Sequence, residues 1–171
     1  MIDKLFKNKF RIDSARLIDW DYSTPWWYYV TICTKNMWCW FGDVSHGKME
    51  LNDQGTFVDE IWRGIPKHYP SVELDYYTIM PNHVHGIIIL NDVETGHAPS
   101  LQPKRPALGN VVGSFKSKVT RWTHKNGIKL FAWQPRFYDH IIRNEKDLHR
   151  IRTYIQNNPL KWELDEYYQD E

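Results

Sequence analysis

The stretch that decides the fold is residues 72–90, VELDYYTIMPNHVHGIIIL. Its two halves, Val72–Met80 and Val84–Leu90, are rich in aromatic and β-branched residues, which favour an extended chain. Pro81 and Asn82 lie between the halves, and both residue types are common in turns. The stretch therefore predicts two consecutive β-strands joined by a tight turn, the second of them apolar along most of its length.

The patterns on either side of this stretch predict further strands and a few helices. Apolar residues at positions 57, 58, 61, 62 and 65 have the spacing of an amphipathic helix, which Pro66 and Pro70 close. The other predicted elements are a strand at Trp26–Thr34, an extended stretch with a turn at Trp38–Leu51, a loop at Asn91–Ala107, a helix at Leu108–His124, a connecting segment able to form a strand at Trp133–Ile142, and a helix at Glu145–Asn157, capped by Asn144 and ended by Pro159. We predict an α+β fold with helices packed on one face of an antiparallel sheet.

The size and composition of the chain are those of one globular domain. A chain of 171 residues is long enough to bury a full hydrophobic core. We predict a single domain over residues 1–171, with an N-terminal arm at residues 1–21 and an acidic tail at residues 163–171. The two cysteines form no CxxC pair, the N-terminus has no signal-peptide pattern, and no apolar stretch is long enough to cross a bilayer. These features predict a cytoplasmic protein that has no membrane partner.

Charge is distributed unevenly along the chain. Residues 101–161 contain 13 Lys and Arg against three Asp and Glu, although the net charge of the whole chain is only +1. Such a basic block is typical of a surface that binds a polyanion, and the nine Trp and ten Tyr suit stacking on unpaired bases. Charge and composition alone leave two alternatives open: a solvated basic face neutralised by the acidic half of the chain, and aromatic residues that only fill the core.

His83 and His85 form the sharpest local pattern. Residues i and i+2 of a strand point to the same face of the sheet, so the two imidazoles lie side by side while Val84 points to the other face. Two adjacent imidazoles make half of a metal site. The apolar strand that follows them makes unpaired polar groups costly at this place. Because the chain has eight histidines, a chance pair without a ligand is the alternative.

Tyr154 and Asn158 share one face of the last predicted helix, because residues four positions apart are neighbours on a helix surface. A phenol and a carboxamide one turn apart are able to flank a common metal ion. The alternative is that Tyr154 is a half-buried packing residue beside the apolar stripe of the helix.

Three motifs, taken together and in this order, resemble the single-tyrosine HUH transposases, in which HUH stands for His-hydrophobic-His. The motifs are MPNHVHG at residues 80–86, WQPRFYDH at residues 133–140 and YIQNNP at residues 154–159. The resemblance is closest to the REP-associated tyrosine transposases, and it extends from about residue 10 to residue 162. Other members of the family move the smallest bacterial insertion sequences.

The resemblance implies a ferredoxin-like sheet of RRM type, with the histidine pair on a central strand. It implies a divalent ion, Mg²⁺ or Mn²⁺, bound by His83, His85 and Asn158, although the insertion-sequence enzymes more often have Gln in place of the asparagine. Tyr154 matches the nucleophile that attacks DNA to form a 5′-phosphotyrosine and free a 3′-hydroxyl, and Tyr138 is a nearby competitor for that role.

The resemblance also implies a DNA partner, either single-stranded or folded into a hairpin. In this interpretation the basic block binds the DNA, and its candidate phosphate-binding residues are Lys116, Lys118, Arg121, Lys125, Arg143, Arg150 and Arg152. The family leaves open whether the protein is a monomer or a homodimer, because both occur in it.

Two other functions are compatible with the sequence. The first is a non-catalytic or domesticated nucleic-acid-binding module on the same fold, against which the presence of His83, His85, Tyr154 and Asn158 argues. The second is a metal-dependent hydrolase in which the histidine pair activates water and no covalent intermediate forms.

Overall fold

The computed structural model describes residues 19–92 and 106–168. Several segments of the predicted organisation therefore lie outside the described residues: residues 1–18 of the N-terminal arm, residues 93–105 of the predicted loop, which include the start of the basic block, and residues 169–171 of the acidic tail.

The described residues form six strands, four α-helices and two short 3₁₀ segments. The strands are β1 (Trp27–Cys33), β2 (Gly42–Ser45), β3 (Lys48–Leu51), β4 (Val72–Met80), β5 (His83–Leu90) and β6 (Tyr138–Ile141). The helices are α1 (Asp53–Arg63), α2 (Ile65–His68), α3 (Leu108–Lys125) and α4 (Glu145–Asn157), and short 3₁₀ segments occupy Lys35–Met37 and Pro159–Leu164. Within residues 19–92 and 106–168, no helix combines the length and the apolar character that crossing a bilayer requires.

Four strands form one antiparallel sheet in the order β4-β5-β1-β6, while β2 and β3 pair in a separate hairpin. The chain contains two strand-helix-strand units, β1-α1-β4 and β5-α3-β6. In the sheet, β5 lies between β1 and β4, and β1 lies between β5 and β6. This interleaving of the two units is the ferredoxin-like arrangement. The α+β class and the antiparallel sheet are therefore confirmed.

Helices cover both faces of the sheet, which corrects the expectation that they lie on one face. Trp62 of α1 and Phe115 of α3 belong to a large core cluster with residues such as Ile88 of β5. On the opposite face, α4 contributes Leu148, Ile151 and Ile155 to a second cluster with Tyr29, Ile87 and Ile89. The reason is that all eight residues of β5 are buried, and Ile87 and Ile89 make part of its second face apolar.

Two element boundaries differ from the sequence pattern. Pro66 does not end the helical chain but is the second residue of α2, a position where its missing N–H costs no hydrogen bond. In the connecting segment only β6 forms a strand, and Trp133 makes an isolated bridge to Thr34. The short β6 follows Pro135, which lacks the N–H that a longer ladder needs.

Gly86 marks a close approach between β5 and α1. A Cβ atom at this position would lie 2.3 Å from Cζ2 of Trp62, a fully buried ring that packs edge-on against Phe115. Because the packed core gives Trp62 no room to move away, we expect Gly86→Ala to lower the free energy of unfolding by about 1–3 kcal/mol. Urea denaturation followed by tryptophan fluorescence measures this change.

Gly113 of α3 is the matched control, because a Cβ atom there would meet no atom within 4 Å. We expect Gly113→Ala to raise the free energy of unfolding by about 0.5–1 kcal/mol, since alanine favours a helix over glycine. If Gly86→Ala were as stable as the wild-type protein, the described packing of α1 on β5 would be wrong.

Candidate active site

The histidine pair lies at the start of β5, on the face of the sheet that α4 covers. His83 and His85 are completely buried, and their Nε2 atoms are 2.9 Å apart. Val84, between them, points to the opposite face and belongs to the large core cluster. The alternation of the strand therefore presents two imidazoles to one small volume.

Asn82 determines which nitrogen of His83 carries the proton. Its Nδ2 donates to the backbone carbonyls of Met37 and Tyr167, at 2.9 and 2.8 Å, and its Oδ1 lies 2.8 Å from Nδ1 of His83. Because a carboxamide oxygen only accepts hydrogen bonds, Nδ1 of His83 must donate. The Nε2 atom of His83 therefore has a free lone pair on the side of His85.

Two hydroxyl groups of β1 orient His85. Its Nδ1 lies 2.8 Å from the Tyr29 hydroxyl and 2.9 Å from Oγ1 of Thr31, which itself donates to the Tyr29 hydroxyl at 3.1 Å. Thr31 is the direct partner of His85 in the β1–β5 ladder. Such outer contacts hold the ring of a metal-binding histidine in one orientation.

Burial keeps both imidazoles neutral. It lowers the pKa of His83 to about 3, against the opposing influence of the neighbouring Asn158. The pKa of His85 is also far below its ordinary value, first because of burial and then because of the adjacent His83. At neutral pH the pair is therefore unprotonated, which is the state that binds metal ions.

Helix α4 brings Tyr154 and Asn158 to the histidine pair. The Tyr154 hydroxyl lies 3.4 Å from Nε2 of His85, and the two rings pack edge to face with centroids 5.1 Å apart. Asn158 is 2% exposed, and its buried Oδ1 has no hydrogen-bond partner in the described part of the chain. The helix is held in this register by its apolar stripe and by Asn144, whose side chain accepts from the backbone N–H of Asp147.

Asp165 is a member of this cluster that sequence reasoning missed. It follows the 3₁₀ segment Pro159–Leu164, which turns the chain back toward β5. Its Oδ2 accepts hydrogen bonds from the Tyr154 hydroxyl, at 3.2 Å, and from Nδ2 of Asn158. His83, His85 and Asp165 each contribute one potential ligand atom, and these three atoms lie within 4.8 Å of one another. In the sequence this residue is one acid among several in the tail, and no spacing distinguishes it.

The donor atoms of the cluster fit a divalent ion. The NH₂ group of Asn158 donates to the Asp165 carboxylate, and this contact fixes the orientation of the amide. The amide oxygen, Oδ1, is then buried and has no hydrogen-bond partner in the described part of the chain. Such a buried oxygen is costly unless a cation or a hydrogen-bond donor binds to it. The Nε2 atoms of His83 and His85 would both be able to hold one ion. The separation of the two Nε2 atoms is 2.9 Å. Imidazole nitrogens, an amide oxygen and a carboxylate together form a suitable ligand set.

The phenol of Tyr154 is kept protonated by its surroundings. Burial raises the pKa of Tyr154 above its ordinary value, and the negative charge of Asp165 raises it further. The phenol therefore donates to the carboxylate at neutral pH. The ring of Tyr167 packs against the histidine pair, with its centroid 4.8 Å from that of His83 and 5.8 Å from that of His85.

A cavity of about 440 Å³ opens beside Tyr154, between α4 and the C-terminal segment. Its walls combine cationic, acidic and hydrogen-bonding side chains. The lining residues are Arg150, Thr153, Tyr154, Asn157, Asn158, Lys161, Leu164, Asp165 and Glu166.

Tyr138 lies apart from the cluster. The ladders pair Tyr138 with Thr31 and Thr31 with His85, so two strand spacings, about 9.6 Å, separate Tyr138 from His85 along the sheet. The side chain of Tyr138 is 45% exposed. It is therefore on the same face as the histidines but at the open edge of the sheet.

The seven predicted phosphate-binding residues are divided between the two faces of the sheet. Lys116, Lys118, Arg121 and Lys125 are on α3, which packs on the face opposite the histidines, whereas Arg143, Arg150 and Arg152 are beside or on α4. Three of them have internal partners, and one of these contacts is the ion pair of Arg150 with Asp147 at 2.7 Å. Lys116 donates to the carbonyls of Gln134 and Arg136, at 2.7 and 3.2 Å, and Arg152 forms an ion pair with Asp75 at 2.7 Å.

Comparison with known proteins identifies relatives of the chain. No protein family model matches it. An uncharacterized protein of Haemophilus influenzae is 41% identical over 167 residues, which cover 92% of this chain and 93% of that protein. A relative from Escherichia coli named "REP-associated tyrosine transposase" is 29% identical over 52% of this chain, and one from Haemophilus influenzae named "Putative REP-associated tyrosine transposase" is 30% identical over 67% of it. The chain is therefore similar in sequence to proteins that carry the name REP-associated tyrosine transposase.

The sequence matches with the REP-associated tyrosine transposases cover only part of those proteins. The matched region spans 45% and 64% of the length of the two transposase relatives. A solved structure of a REP-associated tyrosine transposase bound to a REP hairpin superposes with a TM-score of 0.55 at 23% identity, covering 81% of this chain and 68% of that one. The fold is therefore shared with that transposase, and the resemblance seen in the three motifs is confirmed.

Proposed function

We propose that the chain is a transposase that cleaves and rejoins single-stranded DNA through a covalent 5′-phosphotyrosine on Tyr154. The observation that supports this most directly is the position of the Tyr154 hydroxyl, 3.4 Å from Nε2 of His85 at the edge of a buried cluster of ligand atoms. A phosphate held at the cluster would be within reach of the phenol, and such proximity is what nucleophilic attack requires.

The residues proposed to hold the divalent ion are His83 and His85, through Nε2, and Asn158, through Oδ1, with the Asp165 carboxylate close enough to take part. When bound, the ion would neutralise the charge on the non-bridging phosphate oxygens. Mg²⁺ and Mn²⁺ are both candidates. Because imidazole nitrogens suit transition-metal ions better than Mg²⁺, we expect Mn²⁺ to bind more tightly.

The proposed reaction has two balanced steps. In the first, the Tyr154 oxygen bonds to phosphorus while the bond to the 3′ oxygen breaks, and the proton that the phenol loses is matched by one that the departing 3′ oxygen gains. In the second, the 3′ oxygen of another strand bonds to phosphorus while the bond to the Tyr154 oxygen breaks, and the proton that the 3′-hydroxyl loses is matched by one that the phenol gains. Asp165 orients the phenol by accepting its hydrogen bond at 3.2 Å. No ATP is required, because the intermediate keeps the phosphodiester bond energy.

The cavity beside Tyr154 is the proposed seat of a nucleotide next to the scissile phosphate. Arg150 and Lys161 supply positive charge at its walls, while Thr153 and Asn157 supply hydrogen-bonding groups. Phosphate contacts of this kind position a strand, and carboxamides are able to read base edges.

The proposed substrate is DNA that folds into a hairpin with a single-stranded flank. This part of the proposal rests on the relative whose solved structure is bound to a REP hairpin and on the basic block of residues 101–161. Arg121, Lys125 and Arg143 are exposed and available to phosphates on the two sides of the sheet.

Binding to single-stranded DNA should weaken steeply as salt rises, because neutralised phosphates release counterions. We expect Arg143→Gln to reduce the slope of log affinity against log salt by about 0.7, the contribution of one phosphate contact. Arg63→Gln is the control, since Arg63 is on α1, outside the basic block, and forms an ion pair with Asp59 at 2.7 Å. Fluorescence anisotropy over a salt series gives both slopes, and a flat salt dependence would contradict the assignment of the basic block to DNA.

Trapping of the covalent intermediate tests the proposed function. A hairpin oligonucleotide labelled on its 3′ part is incubated with the protein and Mn²⁺, and the mixture is denatured before electrophoresis. We expect label to migrate with the protein, because the phenol attaches to the 5′ phosphate of the downstream fragment. Cleavage without an adduct would indicate a water-using hydrolase, and binding without cleavage would indicate a non-catalytic module. Either result would overturn the proposal.

A further inference from the structure

We infer that Tyr138 is a stacking platform for an unpaired base, and that the single strand crosses the sheet face from His85 toward the edge strand β6. The inference rests on the proposed function for the identity of the ligand as single-stranded DNA. It gives a role to the residue that the sequence offered as a competitor of Tyr154.

Tyr138 is an exposed aromatic residue on the sheet face that carries the histidines. It is 45% exposed, whereas its neighbours on β1, Tyr29 and Thr31, are 8% and 2% exposed. Its ring contacts that of Tyr29 in an edge-to-face arrangement, with centroids 6.1 Å apart. One side of the ring is thus fixed by a buried neighbour while much of the residue faces solvent. A ring held in this way loses little conformational entropy when a base stacks on it.

Tyr29 makes the platform continuous with the candidate active site. Its ring stacks beside that of His85 at 5.7 Å and meets that of Tyr154 edge-on at 6.5 Å. The distance of about 9.6 Å between the backbones of Tyr138 and His85 corresponds to about three nucleotides at the 3.4 Å rise of a duplex strand, and to fewer in an extended strand. The base on Tyr138 would therefore lie within a few nucleotides of the scissile phosphate.

The charges around Tyr138 suit a polyanion. His140, which is two residues further on β6 and on the same face, contacts the Asp147 carboxylate at 2.7 Å, and Arg150 contacts the same carboxylate at 2.7 Å. The Asp147 carboxylate is thus paired with the Arg150 guanidinium and also contacts the His140 imidazole. Asp139, the acidic neighbour of Tyr138, is paired with Val30 and is on the opposite face of the sheet.

The test uses protein with Tyr154→Phe, so that the bound DNA stays uncut, and a hairpin oligonucleotide with 2-aminopurine placed at successive positions of its single-stranded flank. We expect one position to lose fluorescence on binding when residue 138 is Tyr or Phe, and not in the Tyr138→Ala variant. Affinity should fall about tenfold in Tyr138→Ala and stay unchanged in Tyr138→Phe, since phenylalanine retains the stacking surface. Tyr76→Ala is the matched control, because Tyr76 is 39% exposed on the other edge strand, β4.

The outcomes separate this inference from the proposed chemistry. If Tyr138→Ala bound DNA as tightly as Tyr138, or if Tyr138→Phe weakened binding equally, the stacking role would be wrong even with a normal adduct on Tyr154. If no adduct formed in the trapping experiment but Tyr138→Ala lost affinity and base quenching, the stacking site would stand and the covalent chemistry would fail.

Discussion

Replacement of both His83 and His85 by alanine should abolish Mn²⁺ binding and reduce DNA cleavage by at least about 10³-fold, since a bound ion contributes several kcal/mol to stabilising the phosphoryl charge. The two Nε2 atoms, 2.9 Å apart in a buried site, are the pair that the ion would share. Isothermal titration with Mn²⁺ measures binding without reference to activity, and a gel assay measures cleavage.

The control for this experiment is His149→Ala. His149 is exposed on α4, so this substitution removes one histidine without changing the cluster. Alanine at two buried positions leaves space in the core, so circular dichroism and thermal unfolding establish that the double variant is folded. If it is not, His83→Asn alone repeats the titration with a polar side chain that retains a partner for Asn82. A folded variant that cleaves DNA like the wild-type protein would contradict the metal assignment.

Replacement of Tyr154 by phenylalanine should eliminate cleavage, again by at least about 10³-fold, because it removes the atom that bonds to phosphorus. The substitution keeps the ring that packs against His85 and Tyr29, so the fold should survive. It deletes the hydrogen bond to Asp165, which Asn158 continues to contact. Affinity for Mn²⁺ and for single-stranded DNA should therefore stay close to wild type.

Tyr138→Phe is the matched control for the loss of a phenolic oxygen near the site. It should cleave DNA and form the adduct, because Tyr138 is two strands away from His85. Quenched-flow or gel assays of all three proteins under one set of conditions give the comparison. Full cleavage by Tyr154→Phe would show that another nucleophile, a second tyrosine or water, carries the reaction.

The local geometry of the candidate site could be predicted from the sequence because it depends on periodicity. A strand puts His83 and His85 on one face, and a helix puts Tyr154 and Asn158 on one face, whatever the rest of the chain does. The capping of α4 by Asn144 is equally local. These patterns involve neighbours within one element, where the backbone fixes side-chain direction.

The features that the sequence did not predict depend on how separate elements meet. Helix α4 was expected on the same face as the other helices, but Ile87 and Ile89 make the second face of β5 apolar and α4 covers it. Asp165 joins the cluster only because the chain turns back after Pro159. The separation of Tyr138 from His85 follows from the pairing of both strands with β1, which no motif spacing records.

The measurement that tests the central claim most directly is mass spectrometry of the trapped protein–DNA adduct after digestion. The account predicts that the nucleotide is attached through its 5′ phosphate to the peptide that contains Tyr154, 3.4 Å from His85. Attachment to the peptide that contains Tyr138, or cleaved DNA with a free 5′ phosphate and no modified peptide, would contradict it.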